Sequence, residues 1–144
     1  MASTTCLTNT FRTGLLVANQ DLSSHTLKLS MHNNVDLLQT TTQYSTSGEI
    51  EGTGYSAGGA TMSGATAGID NANHVAWYTF NDVTFSSSSL TADTVLLYNN
   101  SVSSPTNKPS IGVFYLGSAK TSSSGDFKIV MPTANFSSAL VRLA

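Results

Sequence analysis

The stretch His25-Thr26-Leu27-Lys28-Leu29-Ser30-Met31-His32 alternates apolar and polar side chains with a period of two. A strand sends successive side chains to opposite faces, so Leu27, Leu29 and Met31 would line a core while Lys28, Ser30 and His32 face away. The same signal recurs along the chain. His74–Phe80 is rich in aromatic and β-branched residues, and Val83 and Phe85 continue it after Asn81-Asp82. Asp93–Tyr98 is a short apolar run, as expected of a buried strand. In Ile111–Leu116 both alternating sets are apolar, which predicts a central strand covered on both faces. Phe127, Ile129 and Met131 alternate again, and Leu140–Leu143 makes a last strand. Weaker strand signals lie over Gly48–Tyr55 and Ala60–Ile69.

Turn-forming residues separate these segments: Asn33-Asn34, Gly58-Gly59, Asn99-Asn100 and the serine runs Ser86–Ser89 and Ser122–Ser124. Helical periodicity occurs once, over residues 9–18, where Phe11 and Leu15 share a face behind the capping candidates Thr8 and Asn9. The pattern predicts an all-β, antiparallel two-sheet sandwich, jelly-roll-like or immunoglobulin-like, with one short N-terminal helix. Nothing in the sequence marks an internal boundary, so residues 1–144 read as one domain, with 1–8 an N-terminal arm that orders on binding.

Composition supports the strand reading. Only 10% of residues are charged, against a usual share of about 25%. Polarity comes instead from 22 Ser, 20 Thr and 11 Asn, residues of turns and strands rather than of solvated helices. Six scattered cations and a net charge of −2 provide no basic stripe, which argues against a nucleic-acid partner. No run approaches the roughly 20 apolar residues of a membrane helix, and the N-terminal twenty residues lack the charged start and apolar stretch of a signal peptide. Synthesis and folding in a cytoplasm are therefore expected. Cys6 is the sole cysteine and cannot form an intrachain disulfide.

Several constellations suggest chemistry and then lose it. Gly54-Tyr55-Ser56-Ala57-Gly58 has the spacing of a nucleophile elbow, which needs a helix directly after the serine. The residues that follow, Gly59 to Gly64, do not read as a helix, and the acid and base that chain order allows, Asp70 and His74, are only four apart. A glycine-rich turn is the better reading. His25 and His32 fall on opposite faces if both lie in one strand, so they do not converge on a metal. Glu49 and Glu51 share a strand face and would read as surface carboxylates or one side of an interface ion pair. The sequence therefore predicts no catalytic, cofactor-binding or metal residues, and no enzyme.

The order of segments resembles a family of small virion proteins of tailed bacteriophages. The resemblance is carried by HTLKLSMHNN (25–34), TTTQYSTSGEIEGTGYSAGGATMSG (40–64), VAWYTFNDVTFSSSSLTADTVLLYNNS (75–101) and the segment from Ile111 to Ala144. Its most specific pieces are Gly48–Gly59, Leu97-Tyr98-Asn99 and Gly125-Asp126-Phe127 through Pro132. The resemblance implies a structural role, with head decoration or cement on the outer capsid first and a neck, tail or fibre-attachment part second. It implies the major capsid protein and further copies of the chain as partners, a trimer by analogy with proteins at three-fold positions. A carbohydrate-binding module, with Trp77 and Tyr78 as its aromatic platform, is the alternative from another class.

Overall fold

The computed structural model describes residues 2–144. Antiparallel sheets and one short helix make the chain an all-β, sandwich-like protein, 41% strand and 6% helix. The strands are β1 (Cys6–Leu7), β2 (Leu27–His32), β3 (Ala60–Thr61), β4 (Thr66–Asp70), β5 (Val75–Thr79), β6 (Val83–Ser88), β7 (Thr91–Asn99), β8 (Ser110–Thr121), β9 (Gly125–Ile129) and β10 (Val141–Leu143). Helix α1 spans Asn9–Leu16. The chain divides into two compact units, one from the N-terminus to Thr61 together with Phe85–Phe127, the other Met62–Thr84 with Lys128–Ala144. Of the three passages between units, one falls at the end of β3 and two fall inside strands, β6 and β9, so no linker composition marks them.

In the first unit a five-stranded sheet runs in the order β1-β8-β7-β2-β3. The alternation over 25–32 places Leu29 opposite Leu97 and Met31 opposite Val95. Next along, Leu96 pairs with Val113 and Leu97 with Gly112. These residues are 0–2% exposed or buried, as are Leu27 and Ile111, so the middle of the sheet is covered on both faces. β8 is flanked by β1 and β7, as its two-sided apolar pattern predicts. Helix α1 starts where Thr8 Oγ1 accepts from Phe11 N at 3.2 Å, a hydroxyl N-cap. It buries Phe11 at 0% exposure. Residues 3–8, expected as an arm that orders on binding, are docked here. Thr4 N donates to Leu37 O, Ser3 Oγ to Val35 O, and Cys6-Leu7 pair with Val113 and Gly112.

The second unit holds a three-stranded sheet, β10-β5-β4. Leu143 lies opposite Ala76, and Ala76 opposite Ile69; the next row is Arg142, Trp77 and Gly68. Lys128 and Asp82 form an exposed ion pair at 2.8 Å, and Asp82 also accepts from Met131 N. β6 and β9 pair as a two-stranded ladder.

Two sequence expectations are corrected. Gly48–Tyr55 is not a strand: Glu49 makes one isolated bridge to His32, and turns follow. The serines 86–88 are not a link but the end of β6, where Ser88 is buried and donates to Gly125 O at 2.9 Å. A hydroxyl that can bond its surroundings permits burial that composition does not announce. The strand pattern places Trp77, Phe127 and Ile129 as largely buried, within the domain or at an interface; Phe127 is 6% exposed, while Trp77 and Ile129 are half-buried within the chain.

Candidate functional site

The densest polar cluster forms around Glu49 in the first unit. Backbone bonds place it there: Asn33 N donates to Gly48 O, and Ile50 N to Met31 O, so the 48–50 segment lies along the edge of β2. Tyr44 Oη donates to Oε2 of Glu49 at 2.6 Å, and Tyr55 Oη to Oε1 at 2.6 Å. Gly58 N donates to Oε1 at 2.7 Å. Tyr55 Oη in turn accepts from Met31 N at 3.0 Å. Tyr98, buried in β7, donates to Gly58 O at 2.7 Å and stacks on Tyr44 with ring centroids 4.6 Å apart. Lys108 Nζ lies 5.3 Å over the Tyr44 ring.

Burial and the Glu49 charge act on the phenols in the same direction. Tyr98 is pushed up to about 12, and Tyr44 and Tyr55 rise further, desolvation being the largest cause for each. The three phenols stay protonated and serve as donors at neutral pH. Short charge-assisted bonds to both carboxylate oxygens make Glu49 an anchor for the 44–59 loop. An open cleft of about 540 Å³ beside it is lined by Glu49, Glu51, Asn33, Ser89, Thr91 and Ser122, among others. Glu51 is exposed, while Glu49 is held by its tyrosines; the two do not act as a free pair.

A second cluster was missed at the sequence level. Ser30 Oγ lies 2.9 Å from His32 Nε2. His32 Nδ1 is 3.2 Å from Ser47 O, and a carbonyl can only accept, so Nδ1 carries the hydrogen and Nε2 accepts from Ser30. Ser-x-His within one strand puts both side chains on one face, which was the available signal. The pair has the contact of a nucleophile and its base, but Ser30 is 0% and His32 1% exposed. No substrate reaches a serine so placed. The third partner is a backbone carbonyl, not a carboxylate. Burial lowers the His32 pKa from its ordinary 6.5, outweighing the Ser47 bond and the charges of Glu49 and Asp93.

The other singled-out residues are scattered. Ser56 is exposed in a turn whose carbonyl accepts from Gly59 N, and the residues after it enter β3, not a helix. Asp70 ends β4 and caps the following turn by accepting from Asn73 N, and His74 is exposed in that turn. His25 precedes β2, where its Nδ1 meets Asn99 Nδ2 at 2.8 Å. Cys6 is half-buried in β1 and its thiol is pushed up by that burial. Trp77 and Tyr78 are neighbours in β5 and therefore face opposite sides of the sheet, so they do not form one platform. Trp77 covers Gly68 across the strand pair, and Tyr78 packs edge-on to Phe80. Among the described residues no group of three His, Cys, Asp or Glu side chains converges on a metal position. Among the described residues no helix is long and apolar enough to cross a membrane.

The second unit presents a different surface. Ile69 is 75% exposed, Val130 69%, Leu143 47% and Phe136 38%. Ile69, Ala76 and Leu143 form one cross-strand row, all three exposed. Exposed large apolar side chains also occur in the first unit, at Leu16, Val17 and Leu38, but there they do not form a cross-strand row. The fold and its surfaces thus define an all-β chain whose polar clusters are structural and whose exposed apolar row lies in the second unit. Compared with family models, curated proteins and solved structures, the chain matches none.

Proposed function

We propose that the chain is a non-enzymatic structural component of a tailed-phage virion, a decoration or cement protein that binds the major capsid shell on its outer surface. The observation that carries the assembly part of this reading is the exposed Leu143–Ala76–Ile69 row, beside a surface poor in charge. Covering such a surface removes apolar area from water and desolvates few ions, so contact with other proteins is favoured. The polar clusters support the same reading, because Glu49 is bonded on both oxygens and Ser30 is buried. The virion itself enters through the sequence resemblance. Self-association, with a trimer by analogy, belongs to the proposal, as does assembly after synthesis in the host cytoplasm.

The test is the stoichiometry of the chain in purified particles, by quantitative mass spectrometry. A copy number comparable with the major capsid protein is expected. A handful of copies per particle would replace decoration with a neck, tail or fibre-attachment role, and absence from the particle would overturn the virion reading.

A further inference from the structure

We infer that strand β4 is a self-pairing edge, through which two copies of the chain join their second-unit sheets in antiparallel register centred on Gly68. The inference rests on the assembly reading above, specifies the surface, and replaces the three-fold order drawn there by analogy with a two-fold contact.

Free strand edges are templates for pairing, and folds blunt them with short strands, charges, bulges or covering loops. The other edges here are treated in that way. The five-stranded sheet ends at both sides in two-residue strands, β1 and β3. The rest of the β2 edge is covered by residues 48–50. The outer half of β8 is bent at Gly117, with φ of +80°, and carries Lys120. β9 carries Asp126 and Lys128, and β6 is interrupted at Ser87, with φ of +50°. β10 is three residues long and carries Arg142.

β4 is less guarded, its one charge being Asp70 at its last position. It is five residues long, Thr66-Ala67-Gly68-Ile69-Asp70, with no proline, no lysine and no bulge. Among the described residues, no backbone bond beyond the β5 ladder reaches Thr66–Asp70. Its outer N–H and C=O groups are left to water or to another strand.

The segment is its own complement. With Gly68 facing Gly68 of a second copy, Thr66 lies opposite Asp70 and Ala67 opposite Ile69, twice over. A hydroxyl donor then meets a carboxylate acceptor on one face, and a small apolar side chain meets a large one on the other. No like charges stand opposite each other. The missing side chain of Gly68 lets the strands approach, and the Trp77 ring occupies the space where its Cβ would stand. The row Leu143–Ala76–Ile69 would continue onto Ala67 of the second copy. A partner of unrelated sequence would need this complementarity built afresh, whereas a second copy carries it already. A two-fold contact of this kind is isologous and closes on itself.

The experiment uses the full chain. Sedimentation equilibrium should show a dimer, and Ile69→Lys, at a position already 75% exposed, should weaken it by about tenfold or more with the circular dichroism spectrum unchanged. In a Cys6→Ser background, a mixture of Thr66→Cys and Asp70→Cys chains should form a disulfide-linked heterodimer on mild oxidation, while neither variant alone should link. A wild-type chain that stays monomeric, an oligomer indifferent to Ile69→Lys, or links formed by the single variants as readily as by the mixture would each overturn the β4 contact. Particle analysis separates the two readings. A monomeric chain still present on particles defeats the pairing alone, and a β4 dimer never found on particles defeats the virion reading alone.

Discussion

Glu49 accepts from two phenols and a backbone amide, and each donor comes from a different part of the 44–59 segment. Hydrogen bonds to a charged group contribute about 1.5–3 kcal/mol each when removed singly, and less than additively together. Glu49→Gln keeps the shape, removes the charge and turns one acceptor into a donor facing a phenol or the Gly58 amide. It is expected to lower unfolding free energy by about 2 kcal/mol, measured by urea titration; a change below a quarter of that would show the cluster to be incidental. His32 gives a prediction with a sign. Burial depresses its folded pKa, so the unfolded chain takes up the proton first as pH falls. Its contribution is complete above the ordinary value of 6.5 and is lost as pH drops from there toward the lowered folded value. Thermal melts should therefore fall between pH 7.5 and 5.5, and His32→Gln should flatten that interval. Asp21 and Asp82 are also lowered, by serine hydroxyls and by Lys128 respectively, but their effects lie at more acid pH. The Ser30–His32 pair had its signal in the shared strand face, but the Glu49 cluster had none. The tyrosines on Glu49 are separated from it by five and six residues along the chain, and nothing in the spacing aims them at one carboxylate.

At the scale of elements, legibility followed the burial pattern. β2, β7 and β8 are rich in apolar side chains and bounded by turn residues, so sequence located them, but the polar set of β2, read as facing away, is buried at Ser30 and His32. The 48–55 segment failed because Ile50 alone is buried there, and one apolar residue sets no period. β4 was ambiguous for the same reason, having no buried residue at all. The serine run failed in the opposite sense, since hydroxyls that satisfy each other can end a strand. The pair Gly58-Gly59 was read as a bend, and the structure gives the reason. Gly59 has φ of +72°, and a Cβ there would overlap the Leu29 carbonyl. Both effects oppose a side chain, so Gly59→Ala should cost about 2–4 kcal/mol, from left-handed strain together with backbone displacement in β2. An alanine variant with the same urea midpoint as the wild type would mean that the turn rearranges at little cost.

For the whole molecule, the two units differ in how much of their sheet is covered, and that difference sets an order of opening. Most residues of β2 and β7, and the first four of β8, are buried on both sheet faces, and their ladders lie inside the sheet. In the three-stranded sheet, by contrast, most residues of β4 and two of three in β10 are exposed, and both strands are edges. Local opening free energy tracks buried apolar contact, since opening a strand exposes to water only what the strand had covered. Native-state hydrogen exchange should therefore show amides in the shared ladders of β2, β7 and β8 near the global limit. Those in β10 and in the β4–β5 ladder should exchange faster by several decades at the same pH. Raising protein concentration adds a second readout, because a contact at β4 supplies partners for its outer amides. Protection at Thr66–Asp70 should then rise with concentration while β10 stays as it was. Uniform protection across both sheets would mean that the second unit opens only with the first, and that exposed area is a poor guide to its stability.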